Sequence, residues 1–192
     1  IAIDGQVALR DFVLADYALG VVQSPLSFRG ETLGFDAILG QKGKTQFNGR
    51  TALTFKKEGL QVLSDVAIAR GRTEDLVDVL AGLDPNLASF QGLLFGDVEG
   101  EGHIESPAAS LTGTISLRLK DTRYYQRGLG AGAATLRFDK GEALVLEPMR
   151  LVGPLGTTTA RGRWNWSGPL DFNFAIEGGS LLEAVNPERR GP

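Results

Sequence analysis

The chain of 192 residues contains no cysteine, one histidine and one methionine. Without cysteine there is neither a disulfide scaffold nor a thiolate metal site. The single histidine, His103, is the one residue around which a Ser/His/Asp triad or a His-rich metal centre would have to be built. No run of about 18 apolar residues occurs, so no segment reads as a membrane-crossing helix. Charge is balanced, with 20 basic against 23 acidic residues and a net charge of −3, so the electrostatic footprint of a nucleic-acid binder is missing. No signal peptide is legible either. The chain starts at Ile1 in mid-pattern and stops at Gly191-Pro192, which reads as a piece of a longer polypeptide.

What is abundant is glycine, 26 residues against a usual share of about 7%. The glycines fall inside alternating runs and at turns, without the every-third-residue period of collagen. The organising stretch is Gly92–Leu119. Leu94, Val98 and Ile104 fall on one face of its first run, with Gly96, Gly100 and Gly102 between them, and Asp97, Glu99, Glu101, His103 and Glu105 fall on the other. In its second run Leu111, Ile115, Leu117 and Leu119 oppose Thr112, Thr114, Ser116, Arg118 and Lys120. Strict alternation is the mark of a strand with one apolar and one wet side.

The same grammar runs through the rest. Ile1, Ile3, Val7 and Leu9 are in phase, and the break at Asp11–Leu14 suggests a bulge or turn. Pro25 in the next segment argues for an edge strand or a kink, because proline cannot donate to a ladder. Leu33, Phe35, Ala37 and Leu39 alternate before the hairpin loop Gly40–Gly43; Phe47, Gly49, Thr51, Leu53 and Phe55 follow. After Pro148 the apolar phase resumes shifted at Met149 and Leu151. The period changes at Leu76, Val79, Leu80 and Leu83, whose spacing predicts an amphipathic helix over Thr73–Leu83. Thr73 is placed to cap it, with Glu74 and Asp75 in the first turn, and Gly82 and Pro85 mark its end. Ser180–Val185 reads as a second short helix. Thr45–Arg50 resembles Thr158–Arg163, and each leads through a turn to a strand ending in isoleucine, Ile68 or Ile176. This divides the chain into two β-repeats, 1–88 and 89–192, each closed by a short helix.

Catalytic chemistry is sparse. His103 lies between Glu101 and Glu105 in a solvated row, with no second group behind it to make a metal site. Gly128–Gly132 resembles a dinucleotide loop but no helical pattern follows it, so the required context fails. Trp164 and Trp166 share a phase with Ala160 and Gly162, which puts them on the apolar face; a carbohydrate-stacking pair would need them exposed. The sequence thus predicts a non-enzymatic, all-β, mainly antiparallel meander of roughly a dozen strands with two short helices. Two short helices cannot cover such a sheet, so it folds on itself as a sandwich, a barrel or an open groove. A groove left partly open presents an apolar trough of the kind kept for a hydrophobic ligand or partner. Its candidate lining is Ile104, Ile115, Leu117, Leu136, Phe138, Trp164, Trp166, Phe172 and Phe174.

The succession Gly100–Pro107 followed by Leu111-Thr112-Gly113 resembles the glycine- and proline-punctuated phrase of the TamB and AsmA-like envelope proteins. So do Ala143–Leu146, Gly156–Arg163, and Trp164–Asp171 running into Phe172-Asn173-Phe174. The resemblance implies an elongated, taco-like β-groove with a hydrophobic interior, without catalytic residues, metal or cofactor. It implies a periplasmic protein anchored to the inner membrane through parts outside this segment. The implied role is phospholipid transport between inner and outer membranes and outer-membrane biogenesis. Implied partners are phospholipid acyl chains, neighbouring repeats of the same chain and an outer-membrane barrel-assembly protein. The alternative reading is a structural or adhesive surface module, a closed β-sandwich or solenoid.

Overall fold

A computed structural model describes residues 2–14, 17–81, 91–106, 110–165, 168 and 170–178. Eleven strands and one helix follow in order: β1 (Ala2–Leu14), β2 (Tyr17–Arg29), β3 (Thr32–Lys42), β4 (Thr45–Lys56), β5 (Gly59–Arg72), α1 (Thr73–Ala81), β6 (Leu94–Ser106), β7 (Thr112–Tyr124), β8 (Arg127–Asp139), β9 (Ala143–Gly153), β10 (Gly156–Asn165) and β11 (Leu170–Glu177). All strands join one antiparallel sheet in chain order, and it is open, with β1 and β11 as its edges. The fold is therefore an all-β meander, as the alternation predicts. The expected second helix at 180–185 lies outside the described residues, as does the repeat boundary at residue 88. The strands on either side of that boundary, β5 and β6, pair with each other.

Register carries the apolar phase from strand to strand. One transverse row runs Ile38–Gly49–Val66–Gly102–Ile115–Leu136–Leu146–Gly162–Phe172, residue opposite residue across nine strands. A second runs Leu9–Val22–Gly40–Phe47–Ile68–Gly100–Leu117–Ala134. Directly opposed residues share a face, so one side of the whole sheet is apolar. Glycine and bulky residues alternate along these rows, and a large side chain leans over its small neighbour: a Cβ at Gly162 would stand 2.7 Å from the Phe172 ring. Covering a bare glycine with a cross-strand aromatic keeps water off the exposed backbone.

The phase breaks in the sequence are bulges. Pro25 lies in an interior strand, and it falls in the register shift between Gln23 and Leu26 on the β3 side, where no ladder donor is required. Opposite it β3 shifts between Phe35 and Ile38. This corrects one expectation: Ile38, not Leu39, continues the apolar face, and Leu39 pairs with Asn48 on the polar side, 62% exposed. The β9–β10 shift places Leu146 opposite Gly162 and Met149 opposite Ala160, so two residues, Glu147 and Pro148, are accommodated against Arg161 alone. The shifted phase at Met149 and Leu151 is thereby restored to the apolar face. At Asp11 the backbone turns left-handed (φ 51°) within a register shift, the bulge signalled by the broken phase.

Burial is uneven. Val98, Leu119, Leu129, Ala134, Leu151 and Leu155 form a buried cluster, with Leu76 of α1 packed against it. The helix thus covers the apolar face near one end of the strands, contacting β2, β5 and β6. Its first turn is tied to the sheet: Asp75 Oδ2 accepts from the backbone N–H groups of Lys44 and Thr45, each at 2.9 Å, and from the Thr45 hydroxyl at 2.8 Å. Glu74 accepts from Arg72 Nε at 3.1 Å. Thr73, expected to cap the helix, is itself its first residue, and its buried hydroxyl makes no hydrogen bond among the described residues. The periodicity placed the helix start correctly, and of the two acids it put in the first turn Asp75 reaches across to the β3–β4 hairpin. The helix is described to Ala81; Gly82, Leu83 and Pro85 lie outside the described residues.

Elsewhere Leu144 and Trp164 form a second buried pair, most of the remaining apolar face is half-buried, and on β11 it is largely exposed. The accessible surface is 12156 Å², where a compact chain of the same mass presents about 8,900 Å².

Stability should follow this division. Leu151→Ala, at a fully buried position, is expected to cost about 3 kcal/mol in urea denaturation, and Phe174→Ala, on the exposed edge, about 0.5 kcal/mol. Asp75→Ala, which strands two backbone donors of the β3–β4 turn, is expected to cost about 2 kcal/mol and to raise proteolytic sensitivity at that turn.

Candidate functional site

Eight of the nine expected lining residues occupy the apolar face, and the ninth, Trp166, lies outside the described residues. Ile104, Phe138 and Trp164 share one transverse row, through Gly113 and Leu144. Ile115, Leu136 and Phe172 share the next, and Leu117 the one beyond it. Phe174 sits opposite Ala160, which faces Met149. They differ in accessibility. Trp164 is 4% exposed and belongs to the packed wall, whereas Phe172 and Phe174 are 47% and 59% exposed on the edge strand. With Trp164 buried, the reading of an exposed tryptophan pair for sugar stacking loses one of its two rings. Ile104, Ile115, Leu117, Leu136 and Phe138 are half-buried between these extremes.

Sequence reasoning passed over several residues that complete this face. Ile38 was hidden by the β3 bulge, and Val66, Leu146 and Leu170, left out of the candidate lining, are each set by register in a row with it. The cross-strand partner is the missing signal, and a single strand's alternation does not carry it. No polar group projects from these rows except small hydroxyls such as Ser64, which bonds to Thr51 at 2.9 Å. The face is a wall of aliphatic and aromatic carbon.

The opposite face is ionic. Asp65 stands between Arg50 Nε at 2.7 Å and His103 Nδ1 at 2.6 Å. Lys120 pairs with Glu99 at 2.7 Å, and Arg163 with Asp139 at 2.7 Å, which also approaches Arg137. These partners hold three carboxyls below their ordinary range: Asp65 through its hydrogen bonds to His103 and then Arg50, Glu99 through Lys120, and Asp139 through Arg163. A depression of about 690 Å³ lies on this side, lined among others by Asn48, Arg50, Asp65, Glu101, His103 and the bulge residues Asp36 and Ala37. His103 is thus one member of an exposed ion-pair row. Among the described residues no three His, Asp or Glu side chains are placed to hold a metal ion, and no helix there is long and apolar enough to cross a membrane.

No protein-family profile, curated protein or solved structure matches this chain.

The ion pairs set a pH dependence. Carboxyls with depressed folded-state values contribute stability that is present above the ordinary carboxylate range and is lost as pH falls through those values. The urea midpoint is therefore expected to fall as pH drops below about 4, and Asp65→Asn combined with Asp139→Asn should flatten that fall.

Proposed function

We propose that the apolar face is a non-enzymatic wall for phospholipid acyl chains, within a bacterial envelope protein that moves lipid between inner and outer membranes and supports outer-membrane biogenesis. The observation that carries this reading is the continuity of the face. It crosses the meander in register over a width of about 48 Å at ordinary strand spacing, and apart from the Leu144–Trp164 pair it stays largely half-exposed away from α1. A monomeric soluble domain seldom leaves so large an apolar patch uncovered. Acyl chains ask for a dry, featureless surface, each buried CH₂ contributing about 0.8 kcal/mol, and for no directional chemistry. A wall of aliphatics and phenylalanines without converging polar groups suits that demand. The likeness of Gly100–Gly113 and Gly156–Phe174 to the phrases of TamB and AsmA-like proteins points the same way, toward the periplasm and an outer-membrane barrel-assembly partner.

The free edges fit a chain with neighbouring repeats. β11 pairs with β10 through eight residues without a register shift, and its outer edge carries no proline or lysine. Natural sheets blunt such edges when they must stay single. A strand added there extends the apolar face beyond Phe172, Phe174 and Ile176. The rival reading, a closed sandwich serving as a surface module, requires a second sheet over this face, and the described strands form one sheet.

Photo-crosslinking in cells separates the two. Crosslinkers at Leu117 and Phe174 are expected to capture lipid, and at Ser116 and Arg118, on the ionic side, to capture none. Leu117→Asp should abolish capture at neighbouring positions of the apolar face. Equal capture on both faces, or on neither in a folded protein, rejects the groove and favours the sandwich.

A further inference from the structure

The two edges of the sheet differ. β1 is interrupted: its pairing with β2 shifts between Leu9 and Phe12 and again between Phe12 and Val13, and Asp11 is left-handed at φ 51°. A bulge of this kind twists an edge away from further pairing. β11 has no such device. Its eight residues, Leu170–Glu177, pair with β10 in unbroken register and include no proline, glycine or lysine. Leu170 is half-buried and the other seven are exposed. An edge strand presents a row of unpaired backbone N–H and C=O groups along its outer side.

The sidedness of β11 reads nearly the same in both directions. Leu170, Phe172, Phe174 and Ile176 lie on the apolar face, and Asp171, Asn173, Ala175 and Glu177 on the ionic one. A twofold axis normal to the sheet brings a second β11 alongside, antiparallel, and keeps both apolar faces on the same side. Directly opposed residues share a face, so the axis must pass through a residue and not between two. Only centres at Asn173 or Phe174 engage seven residues of each strand, 170–176 or 171–177. Centred on Phe174, the pairing sets Asp171 directly against Glu177 of the second copy, twice over. Centred on Asn173, it sets Asp171 against Ala175, Leu170 against Ile176, and Phe172 against Phe174, and no two like charges oppose each other directly. Charge alone therefore selects the register. Apolar rows also join across it: Phe172 leans over Gly162 of its own copy and meets Phe174 of the other, which stands opposite Ala160 there.

We infer that a second copy of this chain docks edge to edge on β11, antiparallel and centred on Asn173, so that two sheets of eleven strands become one with a continuous apolar face. The inference names the strand that the free β11 edge receives, and it holds whether or not the apolar wall carries acyl chains.

The chain has no cysteine, so single cysteines report the register without background. Asn173→Cys places two thiols on an opposed pair whose Cα atoms lie about 4.5 to 5.5 Å apart, inside the disulfide limit of about 7 Å. Ala175→Cys leaves them about 14 Å apart along the strands. Disulfide-linked dimers are expected from the first variant under mild oxidation and not from the second. Sedimentation velocity of the 192-residue chain is expected to show a reversible monomer–dimer equilibrium by about 100 μM, as suits an interface at the small end of the range. Phe174→Lys and Phe172→Glu, each alone, should weaken association roughly tenfold or more by setting a charge against a phenyl ring. Mixed in equal amounts they should associate again, because position 174 of one then opposes position 172 of the other as a lysine and a glutamate. Recovery on mixing does not arise from a variant that fails to fold, which separates lost pairing from lost structure. A chain that stays monomeric overturns the inference and leaves the edge to a neighbouring repeat of the same chain. Assemblies that grow beyond the dimer, equal crosslinking at 173 and 175, or no recovery on mixing overturn it as well.

Discussion

The structure depends on one constraint, that a pleated strand alternates its side chains with a period of two. A one-residue slip of register anywhere would send an entire strand's apolar set to the ionic side. Eleven strands keep one apolar face because each break of phase within a strand is answered by a shift in the pairing. Glu147 and Pro148 are accommodated against Arg161, and the β2 break at Ser24-Pro25 is met by the β3 break at Asp36-Ala37. The bulges are what let strands of 11 to 14 residues bend without losing their sidedness.

Helix α1 divides the face into two regimes. Where Leu76 meets Val98, Leu119 and Leu151, packing is complete and side chains leave water fully. Away from it most of the face stays half-wet, with Leu144 and Trp164 as a second buried patch. The carboxylates of the first turn fix this division, because Asp75 holds the helix to the β3–β4 turn through three donors. Stability is thereby supplied by a covered end, and the remaining wall is free to stay open. A uniformly covered sheet would be more stable and would have no apolar surface to offer.

Much of this was legible in the residues. Alternation in Gly92–Leu119 is enough to predict β6 and β7 and to sort Ile104, Ile115 and Leu117 from Glu101, His103 and Ser116. The switch of period at Leu76 locates the helix. What was not legible depends on pairs. Leu39 was assigned to the apolar face because alternation from Leu33 assumes an unbroken strand, and nothing local announces that Asp36-Ala37 shifts the register. Pro25 was compatible with an edge or a kink, and only its neighbours on both sides decide for the kink. Thr73 carries a capping side chain but became the helix's first residue, so its hydroxyl has no turn to close. Alternation within a strand would turn only one of Tyr124 and Tyr125 outward, but the two-residue turn at Tyr125 leaves both rings exposed.

A sheet in which every strand pairs with its sequence neighbours has a mechanical character of its own. The long-range ladders of a Greek key or a closed barrel are absent from the described pairings, so almost all contacts are between adjacent segments. Loop closure is then cheap at each step, and the sheet can grow hairpin by hairpin from whichever end is made first. The two edge strands are also the first and last of the described strands in sequence. Tension applied at the outer ends of β1 and β11 loads the ladder one hydrogen bond at a time, so these strands peel away like a zip and the interior strands follow in order. Such a sheet yields gradually and re-forms along the same track, where a sheet pulled in shear would hold and then fail at once.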